Sequence, residues 1–95
     1  MGLDSHIYIS GRPVVHPENL ESCREVHYWR KNHSLHERMT ELYAKRGVYW
    51  HGSDRFILEL TIHDQELIRP HLDREKFQQV QDALENGLWV YYECS

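Results

Sequence analysis

The sequence predicts an α+β fold, with a small, mostly antiparallel sheet of three to four strands and two to three helices packed on one face. Two kinds of hydrophobic spacing support this prediction. Apolar and polar residues alternate near the start, the middle and the end of the chain, which is typical of strands. The stretches between them repeat apolar residues every three or four positions, which is typical of helices. With 95 residues, the chain is expected to form a single domain spanning 1–95.

A strand and a long helix are predicted for the first half of the chain. The strand covers residues 3–10, where apolar and polar side chains alternate until Gly11. A loop is predicted over 13–22, which contains two prolines and has no periodicity. The helix is predicted over 22–46 and ends at a cap formed by Gly47. Its predicted apolar stripe comprises Tyr28, Leu35, Met39, Leu42 and Tyr43.

Two strands and a short helix are expected next. A short strand is predicted over 48–51, followed by a turn at 52–54. The clearest strand of the chain then begins at Phe56, where apolar and polar residues alternate. Thr61 and Asp64 have the spacing of a capping box, which predicts a short helix that starts near residue 62 and stops at a proline.

The last two elements are a helix and a strand. Asp73 is a suitable N-cap for a third helix, and Gly87 is placed to terminate it. The final strand covers 88–94, with alternate residues on opposite faces. If the helices cover one face of the sheet, the other face should expose aromatic side chains, which often mark partner binding. The predicted interface residues on that face are Tyr8, Trp89 and Tyr91, with His6 beside them.

Charge and hydropathy exclude several classes of protein. The formal net charge is −4 with histidine neutral, which argues against nucleic acid as the main partner because such proteins usually present a basic face. No apolar run reaches the ~18 residues of a membrane span, and the first residues lack the pattern of a signal peptide. A cytoplasmic protein with no membrane partner is expected, with free thiols at Cys23 and Cys94.

Residues 28–36 are the strongest candidate for a site. They combine two aromatics, two cations, an amide and two imidazoles within a predicted helix, a mixture that neither a core helix nor a surface helix requires. The predicted ligand-binding residues are Trp29, Arg30, Lys31, Asn32 and His36, together with Asp4.

The same motif carries a resemblance to known proteins. The Gly-Leu-Asp start, the run Tyr28-Trp29-Arg30-Lys31-Asn32 followed by His36, and the final Tyr-Tyr pair resemble a group of small, functionally uncharacterised proteins of bacteriophages and prophages. This resemblance implies a phage setting, and hence the cytosol of a host bacterium, and a recurring polar motif. It implies no enzymatic activity.

Metal binding and catalysis receive less support from the sequence. The chain has eight histidines, and His33 and His36 are spaced so that both can lie on one helix face. They are the candidate metal ligands, with zinc as the candidate ion, but no complete zinc motif is present and no cofactor is predicted. Cys23 and His27 could meet on a helix as a nucleophile and base, but an ordinary buried cysteine is the favoured interpretation.

Three functions therefore remain open. The leading hypothesis is a small phage-encoded binding or accessory protein that captures a host protein or a small ligand, with interference in host defence as one specific form. The second is a hydrolase of a phosphate-bearing substrate, with His36 as acid and base and Arg30 or Lys31 stabilising charge. The third is a homo-oligomeric structural protein, in the simplest case a homodimer.

Overall fold

The computed structural model describes residues 4–14, 17–46, 50–51 and 56–94. Within these ranges the chain forms four antiparallel strands, a two-residue fifth strand and three α-helices, which confirms the predicted α+β class. The strands are β1 (Asp4–Ser10), β2 (Arg24–Arg30), β3 (Trp50–His51), β4 (Phe56–Leu60) and β5 (Trp89–Cys94). The α-helices are α1 (His33–Arg46), α2 (Gln65–Ile68) and α3 (Arg74–Glu85). The 3₁₀ helices are Pro17–Ser22, Ile62–Asp64 and Arg69–His71.

The last strand of the chain lies at the centre of the sheet. The strand order is β2-β1-β5-β4-β3, so β5 pairs with β1 on one side and with β4 on the other. Its side chains alternate as predicted: Val90 and Tyr92 join one buried cluster, and Tyr91 joins a second cluster on the opposite face. Because both clusters are buried, β5 is covered on both faces.

The helices pack on one face of this sheet, as expected. They contribute apolar side chains to the same buried cluster as Val90 and Tyr92. These helical residues are Leu35 and Met39 of α1, Ile68 of α2, and Val80 and Ala83 of α3. The spacing of four between Leu35 and Met39, and of three between Val80 and Ala83, places each pair on one helix face.

The opposite face is not open at β5, so the prediction of an exposed aromatic surface there is wrong. Tyr91 is fully buried, and its hydroxyl accepts a hydrogen bond of 2.9 Å from the backbone N–H of Val14. Val14 and Leu20 are also buried, because the turn after β1 and the 3₁₀ helix Pro17–Ser22 pack over this face. Trp89 is half-buried against the same cluster, so neither Tyr91 nor Trp89 offers an exposed interface.

The predicted helix over 22–46 is wrong in its first half. Residues 24–30 form β2, and the helix begins only at His33. Val26 and Trp29 are both buried, and a spacing of three between apolar residues imitates one face of a helix.

A β-bulge explains this spacing. Ile7 of β1 lies opposite His27, whereas the next residue, Tyr8, lies opposite Glu25. Val26 is therefore the extra residue of β2, and the strict alternation of a strand is interrupted there. The β-branched and aromatic residues of this segment favour a strand.

Part of the predicted apolar stripe is nevertheless present in α1. Leu35 and Met39 are fully buried, and Leu42 packs against the same cluster. Tyr28 lies on β2 and is 44% exposed, so it does not belong to the stripe. The side chain of Tyr43 lies outside the described part of the molecule.

The junction between β2 and α1 depends on two residues. Lys31 has a φ of 56°, a left-handed conformation that side chains with a Cβ rarely adopt. Asn32 then caps α1, because its Oδ1 accepts a hydrogen bond of 3.1 Å from the backbone N–H of Leu35. The chain therefore turns sharply from the sheet into the helix within two residues.

The predicted caps in the second half are confirmed. Asp64 accepts a hydrogen bond of 2.7 Å from the backbone N–H of Thr61, which completes the capping box. Asp73 caps α3 by accepting from the N–H of Lys76 at 2.8 Å. Gly87 follows α3 with a φ of 76°.

Some boundaries differ from prediction or cannot be compared. The short helix α2 ends at Ile68, two residues before Pro70, which lies in the 3₁₀ helix that follows. The predicted cap at Gly47 and the predicted turn at 52–54 lie outside the described residues. So do residue 3 of the first predicted strand and residues 48–49 of the short strand.

Replacing Lys31 with glycine tests the junction. We expect Lys31→Gly to raise the free energy of unfolding by up to about 1 kcal/mol, because glycine relieves the left-handed strain of ~1–2 kcal/mol but adds unfolded-state entropy. Urea unfolding measures the change. The matched control is Glu41→Gly in the middle of α1, which should lower stability by about 1 kcal/mol. A loss of stability in both variants would contradict a left-handed junction at Lys31.

Candidate functional site

The candidate residues of segment 28–36 do not form one cluster, because the segment is divided between a strand, a junction and a helix. Trp29 is only 8% exposed and belongs to the core, with its indole N–H donating to the carbonyl of His71 at 3.1 Å. Arg30 lies opposite Asp4 on the outer face of the sheet, away from the helices. His36 lies in α1 on the inner side, so the structure does not bring Arg30 and His36 together.

Asn32 has a structural role at the start of α1. Because its carbonyl oxygen caps the helix, its amide nitrogen is directed to His71, where it donates to Nδ1 at 3.1 Å. Burial, followed by the charge of Arg38, lowers the pKa of His71. His71 therefore accepts at Nδ1 and carries its proton on Nε2. The hydrogen bond between Asn32 and His71 joins the start of α1 to the turn before α3.

His27 forms a similar link, a hydrogen bond that joins β2 to α3. It faces the helices and accepts a hydrogen bond of 2.7 Å from the ammonium group of Lys76 at its Nδ1. Its ring meets Trp29 edge-on, with centroids 4.7 Å apart. Burial, followed by the charge of Lys76, lowers the pKa of His27. Cys23, the predicted partner of His27, instead donates to the carbonyl of Asn19 at 3.3 Å.

His36 has an unpredicted partner at the end of β5. The Sγ atom of Cys94 lies 3.3 Å from Nδ1 of His36, and Ser5 and Tyr92 share a hydrogen bond of 2.9 Å beside it. Burial raises the pKa of the Cys94 thiol, and burial lowers the pKa of His36. The neutral thiol and neutral imidazole are therefore favoured. Their separation of 58 residues gives no signal in the sequence.

The candidate metal ligands are not gathered into a larger set. His33 is exposed in the first turn of α1, and its charge is the second cause, after burial, of the lowered pKa of His36. Within the described ranges, no group of three or more His, Cys, Asp or Glu residues is arranged to hold a metal ion.

The bulge at Val26 assembles a different site on the outer face of β1 and β2. If residues 24–30 alternated strictly, Glu25 would share a face with Trp29; because Val26 is bulged, Glu25 lies beside Tyr8 and His6 instead. The resulting surface is called here the acidic aromatic face. It comprises Asp4, His6, Tyr8, Glu25, Tyr28 and Glu93.

His6 is at the centre of the acidic aromatic face. Its ring stacks on Tyr8 with centroids 5.7 Å apart and lies 4.9 Å from the ring of Tyr28. Its Nδ1 contacts the carboxylate of Glu25, and its Nε2 lies 4.0 Å from the carboxylate of Glu93. Rings and carboxylates therefore alternate across three strands.

Asp4 and Tyr28 form the outer margin of this face. The Tyr28 hydroxyl donates to Asp4 at 2.9 Å, and this hydrogen bond is the main reason that the pKa of Tyr28 is raised. The side chains of Tyr28 and Glu25 are 44% and 45% exposed, whereas Glu93 is buried. The face therefore presents the ring of Tyr28 and the carboxylate of Glu25 to solvent, with His6 and Tyr8 half-buried beside them. Asp4, His6 and Tyr8 are among the residues that the sequence singles out, but Glu25 and Tyr28 are not placed beside them, because the sequence predicts a helix over 22–46.

Comparison with protein-family models, curated proteins and solved structures finds no match for this chain. Among the described residues, no helix is both long enough and apolar enough to cross a membrane.

Three histidines with lowered pKa values predict a loss of stability in acid. The unfolded chain binds more protons than the folded one once the pH falls below about 6.5. The contribution of His27, His36 and His71 is therefore complete above that pH and decreases as the pH falls towards their folded pKa values. Urea unfolding at several pH values between about 7.5 and 5.5 measures it.

The double variant His27→Gln/His71→Gln is the comparison for this measurement. Glutamine retains an oxygen that accepts hydrogen bonds but has no charge to gain, so the double variant should lose less stability on acidification than the wild-type chain. An identical loss in the two proteins would contradict the prediction.

The two thiols should differ in reactivity. Cys94 is buried with a raised pKa, whereas Cys23 is only half-buried. We expect iodoacetamide to alkylate Cys94 at least about tenfold more slowly than Cys23 in the folded protein, because the thiolate is the reacting form. Peptide mass spectrometry follows the two sites separately, and alkylation in denaturant gives the reference rates. Equal rates in the folded protein would show that Cys94 is accessible and ionised.

Proposed function

We propose that the protein is a binding protein that captures a basic segment of a partner protein on the acidic aromatic face. The observation that carries the proposal is the row of three neighbouring rings, Tyr8, His6 and Tyr28, bordered by carboxylates. Aromatic rings attract cations through their faces, and carboxylates bind guanidinium groups through paired hydrogen bonds. An arginine or lysine side chain of the partner therefore fits this surface.

The charge of the face supports a cationic partner. Asp4, Glu25 and Glu93 lie on it, and Arg30 is the cation placed in register with Asp4. Arg30 and Asp4 form no ion pair within 4 Å, although both lie in the described part of the chain. The net charge of −4 adds long-range attraction for a basic partner.

The side chains of the acidic aromatic face are held in place by one another, which also supports binding. Tyr28 is held by Asp4, and His6 is held by Glu25, so these side chains lose little rotational freedom when a partner arrives. Tyrosine and arginine dominate the energetics of many protein interfaces. In the phage setting that the sequence resemblance implies, the partner would be a host protein, and interference with host defence is one form that this capture would take.

A short basic peptide tests the proposal. We expect Gly-Arg-Gly-Arg-Gly, titrated into ¹⁵N-labelled protein, to shift the backbone amide signals of His6, Glu25 and Tyr28. The acidic peptide Gly-Glu-Gly-Glu-Gly should leave them unchanged. Tyr28→Ala should weaken binding about fivefold, which corresponds to the ~1 kcal/mol of an exposed cation–π contact.

A pair of matched carboxylate variants separates the site from net charge. Glu25→Gln and Glu75→Gln each remove one negative charge, but Glu75 lies on α3 and its side chain is exposed. Glu25→Gln should weaken binding about threefold more than Glu75→Gln does. If the two variants weakened peptide binding equally, the peptide would be attracted by the net charge of the protein and not by a defined site. A homodimer that Tyr28→Ala dissociates would show that a second copy occupies the face, which would overturn the proposal.

A further inference from the structure

A cavity of about 470 Å³ lies at the opposite end of the β1–β2 pair from Asp4 and Tyr28. Its walls are the end of β1, the turn over residues 11–14, the 3₁₀ helix Pro17–Ser22 and the start of β2. Cavities that hold small organic molecules have volumes of ~300–1,000 Å³. The space is therefore larger than an inorganic ion requires and suits a small metabolite.

The charged residues that line this cavity, among those described, are two arginines. Arg12 lies on the turn and Arg24 at the start of β2, and both line the space. The described lining residues include no Asp or Glu. Among the described residues, neither guanidinium forms an ion pair with a carboxylate. Arg24 donates a hydrogen bond to the amide oxygen of Gln79 on α3, a neutral partner. The charged side chains among the described lining residues are therefore both positive.

The remaining walls are suited to a polar ligand with a small organic part. Asn19 and Ser22 line one side, and Pro13 and Val14 add apolar surface on another. A Cβ atom added at Gly11 would meet nothing within 4 Å, so the space beside the turn is open there. The position of Arg24 depends on the bulge, which places this side chain on the inner face of the sheet, where it reaches Gln79 of α3.

We propose that this cavity binds a small phosphomonoester, with Arg12 and Arg24 holding the phosphate between them. Two guanidinium groups match the double negative charge of a phosphate monoester. Each guanidinium can also donate two parallel hydrogen bonds to the phosphate oxygens. The volume beyond the phosphate accommodates the organic part. This site is distinct from the acidic aromatic face, because its described lining shares no residue with that face and it takes a ligand of opposite charge.

Ribose 5-phosphate is a direct probe, with ribose and inorganic phosphate as comparisons. We expect ribose 5-phosphate to bind with a Kd of about 1 mM or tighter and to shift the backbone amide signals of residues 11–12 and 22–24. Inorganic phosphate should bind the same residues more weakly, and ribose should not bind. Bound ribose 5-phosphate should also slow the alkylation of Cys23, which lines the cavity, without changing the rate at Cys94.

Arginine variants locate the site. Arg12→Gln and Arg24→Gln should each weaken the binding of ribose 5-phosphate about tenfold, whereas Arg74→Gln, on α3, should change it less than about twofold. Circular dichroism of each variant verifies the fold, and Arg12→Gln is the more informative of the two because Arg24 also bonds Gln79. No binding of ribose 5-phosphate to the folded wild-type protein would overturn the proposal. So would equal weakening by all three variants, which would indicate non-specific attraction.

Discussion

The bulge at Val26 is the constraint on which both surfaces of this protein depend. A strand presents alternate residues to opposite faces, and one extra residue reverses that assignment for everything before it. On the far side of Val26, His27 and Trp29 face the helices. Before Val26 in the chain, Arg24 lies on the inner face of the sheet and Glu25 on the outer face. The carboxylate of the acidic aromatic face and an arginine of the cavity are therefore placed by the same irregularity.

The central strand supplies the scaffold that keeps β1 and β2 in place. β5 is buried on both faces, with the helices over Val90 and Tyr92 and the segment after β1 over Tyr91. The hydroxyl of Tyr91 accepts from the backbone of Val14, so the turn that carries Arg12 is tied to the middle of the sheet. The cavity wall is therefore held against the core, and Tyr8 of the acidic aromatic face packs against the same cluster.

The elements that depend on local signals could be predicted from the sequence. The capping residues Thr61, Asp64 and Asp73 bond to backbone groups only two or three residues away, so their spacing is visible in the chain. The strands β4 and β5 show regular alternation, and the α+β class follows from them.

The candidate site was less accessible to sequence reasoning, because it depends on contacts between distant residues. The buried pair Val26 and Trp29 has a helical spacing only because a bulge separates them, and a bulge leaves no reliable mark in one sequence. Asp4 and Tyr8 were identified as candidates, but their neighbours Glu25 and Tyr28 were placed in the wrong element. The covering of Tyr91 by Val14, 77 residues apart, likewise has no local signal.

The register of β1 and β2 is the most direct test of this account, and cross-strand nuclear Overhauser effects measure it. The account predicts contacts that pair His6 with Tyr28, Ile7 with His27 and Tyr8 with Glu25, with Val26 left without a facing partner in β1. Contacts that pair Tyr8 with Val26, or helical chemical shifts over residues 24–30, would contradict it. The first result would place Glu25 on the inner side and the second would remove β2, so either would remove the basis for the acidic aromatic face.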